Sequence, residues 1–174
     1  MIRKAILISA GVLSLAAASS VRAVDPAPPS ATTDFITKAA QSDEFERTEG
    51  RLAEKRATDS KVRSFAAEMV TAHTKTTEDL KKAIRAANMT PPPPPPLAPE
   101  QKQMLAELRA QHGARFDKTY IDQQVQAHQA TLGVVQSYAQ TGGPGPIRDA
   151  AQATAPLVQH HLDMAKDIQS HLGG

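Results

Sequence analysis

The sequence contains no cysteine and no tryptophan, and only 3% of its residues are aromatic. Without cysteine there is no disulfide staple, and no site for a lipid-modified cysteine behind a leader, so stability has to come from packing. So few aromatic rings leave no platform on which nucleic-acid bases could stack. Carriers of nucleophilic chemistry are missing too: there is no thiol, no Gly-x-Ser-x-Gly elbow and no glycine-rich phosphate loop ahead of a helix. The chain therefore reads as something other than an enzyme.

The N-terminal apolar stretch, residues 5–18, is only 14 residues long. That is short of the roughly 20 a helix needs to span a bilayer. Arg3 and Lys4 precede it, and Val21 and Ala23 flank a small-residue cleavage site. This pattern marks residues 1–23 as a secretory signal peptide. Cleavage removes Arg3, Lys4 and Arg22, so 20 basic residues against 18 acidic become 17 against 18. A near-neutral chain has no charge excess for a phosphate backbone. The expected product is periplasmic or secreted, of bacterial type, with no nucleic-acid partner and no transmembrane span once the signal is gone.

What the chain does contain is helical periodicity. Residues 24–33, rich in proline, serine and threonine, read as a linker with Thr32 or Thr33 capping a first helix that runs to about Ala57. Its inward stripe is Ile36, Ala39, Asp43, Glu46, Gly50, Ala53 and Ala57, which is small and partly polar. Asp59 or Ser60 caps a second helix to about Asn88, with the seam Val62, Ala66, Met69, His73, Thr76, Leu80, Ala83 and Ala87. Six prolines, Pro91 to Pro96, end it. They form a stiff polyproline rod of about 19 Å at roughly 3.1 Å per residue. Pro99 opens a short helix to about His112. A longer one follows from about Ala114 to Gln140, with the seam Ile121, Val125, His128, Leu132, Val135 and Ala139. After the glycine- and proline-rich turn at 141–146, a last helix carries Ile147, Ala151, Thr154, Val158, His161, Ala165, Ile168 and Leu172 inward, with Pro156 expected to kink it. The predicted fold is all-α. It is an antiparallel four-helix bundle over residues 34–172, ferritin-like, with a proline-rich crossover (residues 89–99) and a short extra helix between two hairpins, a plain up-down-up-down bundle being the alternative.

Each long helix places one ionisable residue in the middle of its seam: Glu46, His73, His128 and His161. At ~1.5 Å per residue, Glu46 and His73 stand about 18 and 22 Å from the first hairpin turn, and His128 and His161 about 22 and 27 Å from the second. Hairpins packed with their midpoints aligned bring all four to one layer. Three imidazoles and a carboxylate in a low-dielectric core are ligands for zinc, copper or iron. Met69, Met164 and His160 are second choices, the sulfurs suiting copper. The same four residues can instead form a hydrogen-bonded polar layer that only fixes register. The two resulting functions are a metal-binding protein and a non-catalytic envelope or stress-related interaction module.

The segments Phe65-Ala-Ala-Glu-Met-Val-x-x-His73, Tyr120-x-x-x-x-Val-x-x-His128 and Pro156-x-x-x-x-His161-Leu-x-Met-Ala165, behind a signal peptide, resemble the DUF4142 family. That resemblance implies an exported bacterial protein with a ferritin-like bundle. It also places the family's helix glutamate and histidines at Glu46, His73, His128 and His161. One departure is Ala72, where the family often carries an acidic residue before the second-helix histidine. Ferritin chemistry does not come with the label: di-iron bundles need Glu-x-x-His on two helices. Here Glu68 and His73 are five apart, about 140° around the helix, and the last helix has no such motif.

Overall fold

The computed structural model describes residues 29–173, and among them there are helices and no strands. The elements are α1 (Pro29–Arg56), α2 (Ser60–Ala86), α3 (Pro99–Ala110), α4 (Ala114–Thr141) and α5 (Pro146–Gly173). The signal peptide expected at 1–23 lies outside the described residues. So does the first half of the linker, while residues 30–33 already belong to α1. Helix α1 thus begins ahead of the expected cap. Proline suits a helix start because its missing N–H would have no partner there. Thr32 bonds sideways instead, its Oγ1 lying 3.0 Å from the Tyr138 hydroxyl.

The other boundaries follow local chemistry. Asp59 caps α2, accepting from the Lys61 and Val62 amides at 2.7 and 3.2 Å. Asn88 ends α2 at φ 58°, and the Met89 amide returns to the Ile84 carbonyl at 3.0 Å. At the head of α3, Gln101 Oε1 accepts from the Ala98 amide at 2.9 Å. Gly113 turns the chain into α4 at φ 58°, a left-handed conformation that favours glycine. Helix α5 continues through Pro156, which lies on the exposed face.

Helix α1 packs on α2 and α4, α5 packs on α4 and α2, and α3 lies against α4. Gly50 shows how close α1 and α2 come: a Cβ there would stand 2.8 Å from Val70 Cγ2 and 3.1 Å from the Ala66 carbonyl. Two apolar clusters occupy the ends. One gathers Ala53, Val62, Phe65, Met69, Leu108, Phe116, Tyr120, Ile121 and Ala165. The other gathers Phe35, Ile36, Ile84, Val135, Tyr138, Ile147 and Ala151, with the Phe35 and Tyr138 rings stacked at 4.2 Å. Each cluster joins the start of one helix to the end of its neighbour, so packed neighbours run in opposite directions.

Helix α2 ends beside the second cluster and α4 starts beside the first. The proline run and α3 carry the chain between them. Along that path Gln41 donates to the Pro96 carbonyl at 3.0 Å, and Gln123 donates to the Met104 carbonyl at 3.0 Å. Arg56 donates to the Arg109 carbonyl at 3.0 Å. The stripe expected on α1 underrates that helix: Phe35 and Phe45 are buried and aromatic. No helix among the described residues is long and apolar enough to cross a membrane.

Candidate metal centre

Between the two apolar clusters lies a polar layer. On α1 it comprises Ser42, Asp43, Glu46 and Glu49; on α2, His73; on α4, Gln124 and His128; on α5, His161. The heptad-like seams put these residues inward at matching heights, because the four long helices are of nearly equal length and each hairpin is closed by a short turn.

The three histidines meet. Their ring centroids form a nearly equilateral triangle, 5.6 Å from His73 to His128 and 5.5 Å along the other two sides. One ring nitrogen from each lies within 4.8 Å of the others, and all three side chains are buried. The outward nitrogens of two rings are already committed. His73 Nδ1 bonds Asp43 Oδ1 at 2.9 Å, and His128 Nδ1 bonds the Gln124 carbonyl at 2.9 Å. Asp43 is itself held by the hydroxyls of Thr76 and Thr77, at 2.8 and 2.9 Å. An acceptor on Nδ1 fixes the proton there and leaves the Nε2 lone pair free. His73 Nε2, His128 Nε2 and His161 Nδ1 are buried with no hydrogen-bond partner among the described residues.

Electrostatics separates the three rings. Burial, with the charge of His73 next, pulls His128 down to about 3. Burial and the neighbouring histidines, His73 first, do the same to His161, also to about 3. Both are neutral over the physiological range, so their nitrogens are available as lone pairs. For His73, burial opposes the charged form, but the Asp43 hydrogen bond and the Glu46 and Asp43 charges outweigh it and raise its pKa.

Glu46 stands beside the group rather than within it, with Oε1 3.7 Å from His128 Nδ1. Since His128 is neutral, this contact is not an ion pair. Burial raises the Glu46 carboxyl to about 7 although the His73 charge and the nearby Gln124 amide pull the other way, and neither oxygen has a partner within hydrogen-bond distance among the described residues. Glu49 is raised too, by burial and then by the Glu46 charge, and takes one bond, from Gln124 Nε2 at 3.3 Å.

The second-choice residues fall elsewhere. His160 is exposed, its ring 6.3 Å from that of His161. Met69 is in the core of the first cluster and Met164 packs against that cluster. Ala72 left the sequence without an obvious acidic partner for His73. Asp43, on another helix, supplies one from 30 residues upstream. Asp43 was on the expected stripe but carried no role there. The Glu46–Glu49 spacing of three, which puts both carboxyls on one face, was the available sign of the second buried acid.

A model of the family described as a domain of unknown function (DUF4142) matches residues 17–168. No curated protein matches the chain. Among solved structures the fold is similar to that of a DUF305 protein from Streptomyces coelicolor, described as secreted. There the identity is 12%, the TM-score 0.69, and the match covers 83% of this chain and 93% of that one. It is also similar to a DUF305 fragment from Deinococcus radiodurans, at 13% identity and TM-score 0.71, covering 84% of this chain and 99% of that one. At such identities the likeness is one of fold alone.

Proposed function

The chain belongs to the DUF4142 family, and we propose that it is an exported protein that binds one transition-metal ion through His73, His128 and His161. One observation carries this: three buried imidazoles each turn an unpartnered nitrogen toward a shared space, while Asp43 and the Gln124 carbonyl hold the far nitrogens of two. Metal-ligating histidines have this arrangement, because an acceptor on the far nitrogen orients the ring and raises the basicity of the near one. A layer built only to fix register would set donors against acceptors. Here three ring nitrogens converge with no hydrogen-bond partner among the described residues, and a shared cation is what satisfies them.

Three imidazoles, two of them neutral and His73 giving up its proton as the cation enters, suit zinc, with copper and iron as competitors, and leave one coordination position for an exchangeable ligand. Glu46 places a carboxyl beside the bound cation, and Glu49 with Gln124 extends that polar shell. Around the site, α1, α2, α4 and α5 form an antiparallel four-helix bundle, with the proline run and α3 as a ferritin-like crossover. Support for this comes from the packing order and from the opposed directions of neighbouring helices. A periplasmic or secreted location is supported by the signal-like residues 1–23 and by the similar fold of a protein described as secreted.

The test is elemental analysis of the mature protein purified without a histidine tag, with zinc and copper titrations on wild type and on the double variant His73→Ala/His128→Ala. One metal per chain is expected in the wild type, with none in a double variant that keeps its helical content. A wild type that neither carries metal nor is stabilised by zinc or copper overturns the metal site. The polar layer would then be structural, in an interaction module of the envelope.

A further inference from the structure

Next to the histidines the long helices leave a cavity of about 470 Å³, within the size range of small-molecule sites. Its walls are largely apolar, Phe35, Leu80, Val135 and Leu157 among them, and His73 and His161 also line it. Of its polar lining, Thr76 is bonded to Asp43, itself part of the wall, and Thr131 to Ser42, while Thr154 adds one more hydroxyl. The walls therefore offer contact to a hydrocarbon more than bonds to polar substituents. At the solvent end Lys75 pairs with Asp79.

We propose that this cavity holds the tail of a medium-chain carboxylate whose headgroup takes the open position on the metal. The inference rests on the three-histidine metal site proposed above. A metal held by three histidines has that position to give, and carboxylate oxygen is one of its ordinary ligands. His73 and His161 line the cavity as well as the metal position, so the two adjoin, the unpartnered nitrogens themselves being buried. A low dielectric strengthens the attraction between the cation and an anionic head, while the tail is driven in by leaving water. No covalent step is involved: the carboxylate displaces a metal-bound water.

Cobalt(II), whose visible bands respond to ligand exchange, provides the readout. The mature protein loaded with cobalt is titrated with acetate, butyrate, hexanoate and octanoate. Affinity is expected to rise about threefold to fourfold per added methylene, the factor that follows from burying one such group. Over the six methylenes between them, octanoate then binds roughly 700- to 4,000-fold more tightly than acetate, with the same band change. Val158→Phe, at another lining position, is expected to flatten the series while cobalt remains stoichiometric. Leu80→Phe serves the same purpose if that variant does not fold.

Equal affinity for acetate and octanoate overturns the inference and leaves the metal site standing. So does octanoate binding that persists without metal and is lost in Lys75→Ala, since the head would then sit at the rim. If cobalt shows no bound bands at all, the metal site itself fails, and the inference falls with it.

Discussion

Asp117 and Glu46 are both carboxylates at 1% exposure in the same protein, one near the end of the helices and one at the middle. Asp117 lies under the turn between α1 and α2, where three donors meet it. These are the Thr58 amide at 3.0 Å, the Asp59 amide at 2.8 Å and the Thr58 hydroxyl. These bonds satisfy its oxygens, and it ties α4 to the first hairpin. Glu46 has no donor within hydrogen-bond distance, since Gln124 Nε2 bonds Glu49 instead, and burial lifts it to about 7 against the weaker lowering pull of His73 and Gln124. Burial alone therefore does not mark a functional residue here. The distinction lies in whether the buried group has been given partners.

Substitutions can break that comparison. The largest effect is expected at the satisfied site. Asp117→Ala removes charge-assisted bonds and strands two backbone donors, at a cost of about 3 kcal/mol. At about 2–4 °C per kcal/mol for a domain of this size, thermal melts should fall by about 6–12 °C. Metal content per folded chain should not change. If the melting point moves by less than a degree, the turn is held by something other than Asp117.

Asp43→Asn comes next and acts on the other region. Loss of the carboxylate behind His73 is expected to weaken metal binding by about 10- to 100-fold, measured by competition with a chromophoric chelator. Circular dichroism should show the same helix content. Unchanged affinity would mean that His73 is oriented by its packing alone.

Smaller still is Glu46→Gln. Replacing a buried carboxyl that lacks donors removes a desolvation penalty, so the metal-free protein should gain up to about 1 kcal/mol in urea unfolding. The same variant should hold metal less tightly, which gives the two effects opposite signs. A loss of stability in the metal-free state would show that Glu46 already has partners.

The tyrosines provide the finest contrast. Tyr138→Phe breaks the bond to Thr32 and should cost about 1 kcal/mol. Tyr120→Phe removes a buried hydroxyl that has no partner among the described residues. It should change stability by no more than about 0.5 kcal/mol, or raise it slightly. Equal costs for the two would erase the distinction between satisfied and unsatisfied groups.

Much of this was legible in the sequence because it depends on local signals. Helical periodicity placed His73, His128 and His161 on inward seams, and turn counting put them at similar heights. It also separated His161 from its neighbour His160, since one residue is about 100° of rotation. Asp59 and Pro99 announced their helix starts by side-chain chemistry. Partnerships across helices were not legible. The Asp43–His73 bond joins residues 30 apart and the Asp117–Thr58 bond residues 59 apart, and no local pattern encodes either. The stripe expected on α1 missed Phe35 and Phe45, because a seam drawn one residue wide is narrower than the face that two neighbouring helices cover. Glu46 was expected in the same layer, and its Oε1 stands 3.7 Å from His128 Nδ1.

The central claim is that three imidazoles hold one metal. X-ray absorption of the zinc-loaded mature protein tests it most directly. The expected spectrum has imidazole nitrogens in the first shell at about 2.0–2.1 Å, with outer-shell scattering that fits three rings, and it changes in His161→Ala. A first shell of oxygen alone, a sulfur from Met69 or Met164, or a spectrum unchanged by His161→Ala would contradict it.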